Sequence, residues 1–552
     1  MQTLAKKSHY SLSIRKEIID FEERPICPIC KVSLSICSHS TPSSVFGFGG
    51  KYYTEYVEYT CTNKDCIQYK EKKLRAPNPW RVDRHVCDIE VESWIVEQRQ
   101  VEKNTYAEIE YKLKKRYSIE ISPKTIGNII HRYEVACKTK SQKENPIEFR
   151  KNGGIFIGID AMGPFKGEDK HIVAIDHYTD RVVLVECVRS ENTEAHIAFQ
   201  RKLKKYVKEH NFKVLGFMSD DHVAQRKAIR AVWGRKMKHC RCHFHFKTRI
   251  MEEAFKLNSK LKTDARSQIR KIFYVKLFRQ GKLEEVPNSK VWDYIHEIIK
   301  DLAALQEWTT KRNDTDLESI IFYERLKDIY GFLIKLRRKI NYAAEEEYEV
   351  EAKRLKVMIK GVKKALKENL QPYEDLKVIK GLQNRLRRIL ESHNESSKVG
   401  LEKLKNYAKD LENKLASEDR ICNEERYYIE KLCSFVSDRG ESLFHYRDIE
   451  NAEHTNNNQE KKFRSLKYGI RRTQGSAAAS RYFQNNGKYS MYVNPNATIE
   501  EIKEILLNAD YKEIARIMKQ DREKRKKNLP KIKDKKKWQY RKKTYNKKLK
   551  NL

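Results

Sequence analysis

The spacing of apolar residues changes character several times along this chain, and each change marks an element boundary. Between residues 153 and 250 short β-branched runs alternate with amphipathic stretches. The runs 155–160, 171–176 and 181–188 read as three strands at hairpin spacing. A helix over 193–210, a strand over 213–219, a helix over 223–232 and a strand over 236–243 follow, which gives the order β-β-β-α-β-α-β. Upstream, 86–137 has helical period. Thr105 and Glu108 form a capping box for a helix that buries Tyr106, Ile109 and Leu113, and the pattern breaks at Tyr117 and Ser118. Ser122 as N-cap and Pro123 at the first turn start another helix, whose inward stripe is Ile126, Ile129, Ile130 and Tyr133. The polar, lysine-rich stretch 138–152 reads as a linker. From 247 to 434 the chain is charged and helical with few glycines or prolines. Stretches such as 345–369 and 401–415 predict long exposed helices or helical hairpins. A more compact part is marked by Trp292, Trp308, Phe322 and Tyr323, and a last helix is predicted over 498–518.

The first 85 residues carry chemistry of a different kind. Cys27 and Cys30 form one close pair, Cys61 and Cys66 another, about thirty residues on. Two thiolate pairs on short knuckles supply a tetrahedral structural Zn2+, and a hairpin over 51–60 would bring them together. The segment predicts a zinc-ribbon-like domain, with Cys37 and His39 as alternative ligands. Cys242 and His245, with Cys240 and His243 beside them, leave a second zinc site open, although support of an active-site loop fits them better.

The two helices of 86–137 match a helix-turn-helix. The polar face of the second helix offers Lys124, Thr125, Asn128, His131 and Arg132 to DNA. Composition points the same way. The chain has 552 residues, too many for one core, and a formal net charge of +38. Such an excess favours a polyanionic partner, because neutralising phosphates releases condensed counterions. The stretch from 521 to 552 has 16 Lys/Arg against 3 Asp/Glu and reads as a basic tail that orders on DNA. No apolar run is long enough for a membrane span, and the charged start does not read as a signal peptide. Sparse cysteines fit a reducing cytoplasm, and Lys, Ile and Asn usage hints at a prokaryotic host and a place at the nucleoid.

The carboxylates define the candidate catalytic chemistry. Asp160 ends the first strand and Asp220 the fourth, while Glu460 heads a basic helix 240 positions later. Acidic oxygens fixed in this way hold two hard divalent cations, Mg2+ or Mn2+, against a phosphodiester. Asp221 is the alternative to Asp220. On the Glu460 helix Phe463, Leu466 and Ile470 should face the sheet. Arg464, Lys467 and Arg471, with Arg472, could grip phosphates. Thr455, Asn456 and Asn457 can cap that helix, so Asn457 joins Cys242 and His245 as support for the site.

These residues resemble a family. Ile159-Asp160, Ser219-Asp220, Cys242 to His245, and the run from Thr455 to Glu460 with Phe463, Lys467, Arg471 and Arg472 look like a DDE transposase of the Mutator-like group and related prokaryotic insertion-sequence transposases. The likeness covers about 150–250 and 450–480, and Asp221 departs from the small residue usual after the second aspartate. The modules read from the residues, zinc ribbon (1–85), helix-turn-helix (86–137) and linker (138–152), are not a signature of the family; the resemblance adds a ribonuclease H-like α/β core in two parts (153–250 and 451–518), so that a multidomain α+β chain is expected. A large all-α insertion (251–450) would interrupt the core, and a basic tail (519–552) would follow it. It further implies binding of element ends, metal-dependent cleavage and 3′-hydroxyl strand transfer during DNA transposition, by at least a homodimer. The alternatives are a catalytically inactive, transposase-derived DNA-binding regulator, or another ribonuclease H-like nuclease.

Overall fold

A computed structural model describes residues 16–528 apart from 72, 79, 83–84, 164–168, 221, 273–288, 309–316, 343–346, 393–394 and 418–419, with a few positions beyond 528. The chain divides into two compact units: residues 1–154, 160–213 and 458–552 form one, and 155–159 with 214–457 form the other.

The first unit opens with a small sheet. Strands β1 (Lys16–Ile19), β2 (Ser35–His39) and β3 (Ser43–Gly47) all pair with one long strand, β4 (Gly50–Thr60). The stretch 51–60 is therefore a single strand and not a hairpin. Its alternating tyrosines and β-branched residues have no turn former among them, and the tight turn lies earlier, where Gly47 pairs with Gly50 and Gly50 takes φ +108°.

Helices α1 (Ile89–Gln100), α2 (Tyr106–Tyr117) and α3 (Pro123–Lys151) follow. The Thr105–Glu108 capping box, the left-handed Ser118 that ends α2, and the Ser122 cap with Pro123 in the first turn all form. Ile126, Ile129, Ile130 and Tyr133 are buried as their spacing predicts. The predicted linker is instead the second half of α3. Pro146 is the only breaker there, and Asn145, Pro146 and Phe149 are buried. Asn145 Nδ2 donates to the Val182 carbonyl at 2.8 Å, which ties α3 to the next layer.

Strands β5 (Ile155–Met162), β6 (Lys170–Asp176) and β7 (Val182–Val188) are followed by helix α4 (Thr193–Glu209), strand β8 (Val214–Ser219), helix α5 (Val223–Trp233) and strand β9 (His239–Arg241). The sheet runs β7-β6-β5-β8-β9; β6 and β7 are antiparallel, and β5, β8 and β9 are parallel. Two boundaries differ from the sequence reading. β5 continues past Asp160 because Met162 is still buried, and β9 is only three residues long because His243 already begins a helix.

In the second unit, helices α6 (His243–Ile250), α7 (Glu252–Ile272), α8 (Lys290–Glu307), α9 (Glu318–Tyr342), α10 (Glu349–Glu368), α11 (Leu370–Glu391), α12 (Ser397–Ser417) and α13 (Asn423–Arg439) pack around two apolar cores. These are not exposed rods. In α10 Leu355, Met358, Val362 and Ala365 recur at helical spacing and are all buried, so a narrow stripe suffices. Trp292, Phe322 and Tyr323 are buried as expected.

Helix α14 (Asn457–Ser490), kinked at Gly475, carries Glu460 in its first turn. The predicted last helix is two, α15 (Ile499–Leu507) and α16 (Tyr511–Asn528). Ile502 and Leu506 of α15 join the core of α1–α3. Helix α16 enters the expected tail, with Asp521 buried against Lys488 and Tyr489; most residues beyond 528 lie outside those described.

Candidate functional site

The four cysteines converge. The thiol sulfurs of Cys27, Cys30, Cys61 and Cys66 all lie within 4.8 Å of one another. Cys27 and Cys66 are separated by 3.8 Å, Cys30 and Cys61 by 3.6 Å. A Zn–S bond of about 2.3 Å in a tetrahedron places sulfurs about 3.8 Å apart, whereas a disulfide would need about 2.05 Å. The knuckle is shaped by a turn: Cys27 N–H donates to the Val32 carbonyl at 2.8 Å, and Lys31 takes a left-handed φ of 59°. Within the cluster the Val32 backbone N–H holds the Cys30 thiol down to about 6, while burial pushes Cys61 up to about 12. The donor set could hold a structural metal such as zinc. Cys37, exposed and bonded to the Glu58 carbonyl, and His39, paired with Glu55, stand outside it.

Among the described residues these cysteines form the one group of three or more His, Cys, Asp or Glu side chains that converges so closely. Cys240, Cys242, His243 and His245 do not form a second. His243 is buried, with Nε2 2.7 Å from the Leu443 carbonyl, and burial lowers it to about 3. Cys242 caps α6, and its sulfur accepts the backbone N–H of Asn456 at 3.4 Å, while His243 N–H donates to the His454 carbonyl at 3.0 Å. The junction of β9 and α6 thus holds the segment just before α14. His245 is half-buried, and Asn457 is exposed at the first position of α14.

Asp160, Asp220 and Glu460 are each partly exposed. Ile159 on β5 pairs with Ser219 on β8 in parallel register. Asp160 follows Ile159 within β5, and Asp220 is the first residue after β8. Asp220 accepts the His222 backbone N–H at 3.0 Å and has the Arg249 guanidinium at 4.0 Å. Asp221 lies outside the described residues.

On α14, Phe463 and Ile470 are buried against Met162, Val173, Ile175, Val182 and Val185, so this helix lies with its apolar face on the β6–β7 side of the sheet. Gln459 Nε2 reaches the Val173 carbonyl at 3.1 Å. Lys467 is half-buried, burial lowers its pKa, and the Asp160 charge opposes that shift. Lys467 therefore sits in the field of Asp160. Arg464 and Arg471 are exposed.

On α3, Lys124 and Asn128 are exposed, and Thr125 is taken up by the Ser122 cap. Arg132 is not presented to solvent as expected: it pairs with the buried Glu92 at 3.0 Å. Two other aspartates near strand ends serve the turn between β6 and β7: Asp176 accepts from the Thr179 hydroxyl at 2.7 Å, and Asp180 takes a left-handed φ of 53°.

Three participants were not singled out from the sequence. His239 Nε2 lies 2.8 Å from Ser219 Oγ, directly before Asp220; Arg249 faces Asp220; Gln459 ties α14 to β6. The signal for Arg249 was its place one helical turn after His245. No helix among the described residues is long and apolar enough to cross a membrane. No protein-family model matches the chain, and no curated protein matches it significantly.

Proposed function

We propose that this protein is a DDE-type transposase that binds the ends of a mobile element, cuts one phosphodiester at each end and joins the freed 3′-hydroxyl to target DNA. The observation that carries the reading is the register of β5 and β8. In a parallel pair, aligned residues project from the same face on strands about 4.8 Å apart. Asp160 and Asp220 directly follow the aligned Ile159 and Ser219, which suits a shared ligand. Adjacency of the first and fourth strands is what a ribonuclease H-like core requires. Glu460, in the first turn of α14, would be the third carboxylate, and Lys467 of the same helix lies in the field of Asp160.

Asp160, Asp220 and Glu460 would hold Mg2+ or Mn2+, which when bound activates the attacking oxygen and stabilises the leaving one. Carboxylates flanking a pair of ions about 3.5–4 Å apart need not lie as close together as thiolates around a single zinc. Lys467, Arg464 and Arg471 would contact phosphates beside the scissile bond. Cys242, His245 and Asn457 would fix the entry to α14. In the N-terminal part the four cysteines would hold structural Zn2+. Helices α2 and α3 would act as a helix-turn-helix, with Lys124, Thr125 and Asn128 toward DNA. Arg132, committed to Glu92, would stabilise that module instead. Working on two ends at once calls for at least a dimer in the synaptic complex.

The cysteine cluster serves equally a second reading, a transposase-derived regulator that binds DNA without cutting it. One experiment separates the two: strand transfer by the purified protein with Mg2+ or Mn2+ on DNA carrying the inverted repeats that flank its gene. Metal-dependent joining that Asp160→Asn, Asp220→Asn and Glu460→Gln each abolish, with end binding retained, is the expected result. End binding without cleavage in either metal would replace it by the regulator.

A further inference from the structure

A recess of about 310 Å³ opens in the second unit beside Asp220, between α6 and α13. Its wall is unusual in how its cations are held. The Arg241 guanidinium lies 4.3 Å from the ring centre of Phe435, and that of Arg439 lies 5.3 Å from the same ring. Lys431 sits 5.3 Å from the ring of Tyr427. Arg249, the fourth basic residue of the wall, is the one that faces Asp220 at 4.0 Å. Two carboxylates share the recess, and each already has a partner: Asp438 pairs with Arg439 Nε at 3.0 Å, and Glu252 lies 3.5 Å from the Tyr427 hydroxyl.

Aromatic faces fix a cation in place, and with four basic residues against Asp438 and Glu252 the wall keeps an excess of positive charge. Planar guanidinium groups held in this way offer paired N–H donors to phosphate oxygens. Arg241 is only 4 % exposed and is held between the rings of Phe246 and Phe435 at the back of the recess. The volume is at the low end for a small-ligand site and too narrow for a duplex.

We infer that this recess binds one unpaired nucleotide of the DNA strand flanking the cut bond, chiefly through its phosphate. The inference rests on the transposase reading for the identity of the strand. It goes beyond that reading by assigning Arg241, Lys431 and Arg439 of the helical insertion and its approach a substrate contact. Single-stranded DNA fits the site because an unpaired nucleotide can turn its phosphate into a narrow basic recess whatever its base.

The test is fluorescence anisotropy with the full chain in EDTA, using labelled single-stranded oligothymidylate and a duplex of equal length. Lys431→Glu and Arg439→Gln should each weaken single-strand binding by roughly 5- to 20-fold, with duplex binding changed less than 2-fold. The slope of log affinity against log salt should fall by about 0.7 for each phosphate that is no longer neutralised. Arg439→Lys should recover part of the loss. Arg439→Gln must melt with the wild type, and Lys431→Glu, on an exposed side chain, serves where it does not. Unchanged single-strand affinity and salt slope in both variants would overturn the inference, as would equal losses for duplex and single strand. Because the assay contains no metal, pocket-dependent binding by a protein that never joins DNA would keep the recess and remove the transposase reading.

Discussion

Replacing Cys61 by serine is expected to cost the N-terminal module its fold. Around the thiols the buried cluster consists of Leu34, Val57 and Tyr59 together with Cys27, Cys61 and Cys66. Three apolar side chains at about 1.5–3 kcal/mol each contribute about 5–9 kcal/mol. A structural Zn2+ contributes about 10–16 kcal/mol in comparable small modules at neutral pH. A metal bound there would therefore contribute more than the three buried apolar side chains around the thiols, and the sulfur separations of 3.6 and 3.8 Å already suit it. Plasma emission spectrometry should find one zinc per wild-type chain and less than about 0.1 in Cys61→Ser. Cys37→Ser, at an exposed thiol outside the cluster, should keep the full complement. Chelation should make residues 16–76 sensitive to protease while helices α7–α13 stay resistant. A metal-free wild type whose N-terminal module resists protease would refute the reasoning.

Phe463→Ala should destabilise the first unit by about 3–5 kcal/mol, whereas Tyr468→Ala on the same helix, at a 67 % exposed residue, should cost under about 0.5 kcal/mol in urea melts. Equal costs would mean that α14 does not lie on the sheet through Phe463. His243 makes stability pH-dependent: burial holds it neutral to about 3 in the fold, while the unfolded chain binds its proton near 6.5. The unfolded state binds more protons between those values, so stability is complete above about 6.5 and falls toward about 3, by at most about 1.4 kcal/mol per pH unit. His243→Phe should flatten that slope between pH 6.5 and 4.5 if the second unit is followed by its own melting transition.

Much of this fold was legible because local rules and tertiary packing agree. The Thr105 and Ser122 caps, the β-branched runs of β5–β8 and the stripe of Phe463 and Ile470 each satisfy one short-range rule and one long-range contact. The failures occurred where a long-range partner decides. Residues 138–151 are polar in sequence, yet Phe149 and Asn145 find buried partners and the helix continues. In 345–369 and 401–415 the apolar stripe was visible, but nothing local shows that neighbouring helices cover it. Arg132 looked like a DNA contact because Glu92, forty residues earlier, cannot be paired with it by spacing alone. At the candidate site Asp220 follows the end of a strand and Glu460 lies in the first turn of a helix, both legible from the chain, whereas Asp160 lies inside β5 and not at its end. The pairing of Ile159 with Ser219, and the approach of Lys467 to Asp160, depend on register and packing.

The central claim is that Asp160, Asp220 and Glu460 share the same ions, and Fe2+ in place of Mg2+ tests it directly. With ascorbate and peroxide, the bound iron cuts the polypeptide next to its ligands, and the fragments are mapped by mass spectrometry. Cuts clustered near 160, 220 and 460, all suppressed together by excess Mg2+ and lost together in Asp220→Asn, are the predicted result. Cutting at only one of the three, or cutting that Mg2+ does not suppress, would contradict the account.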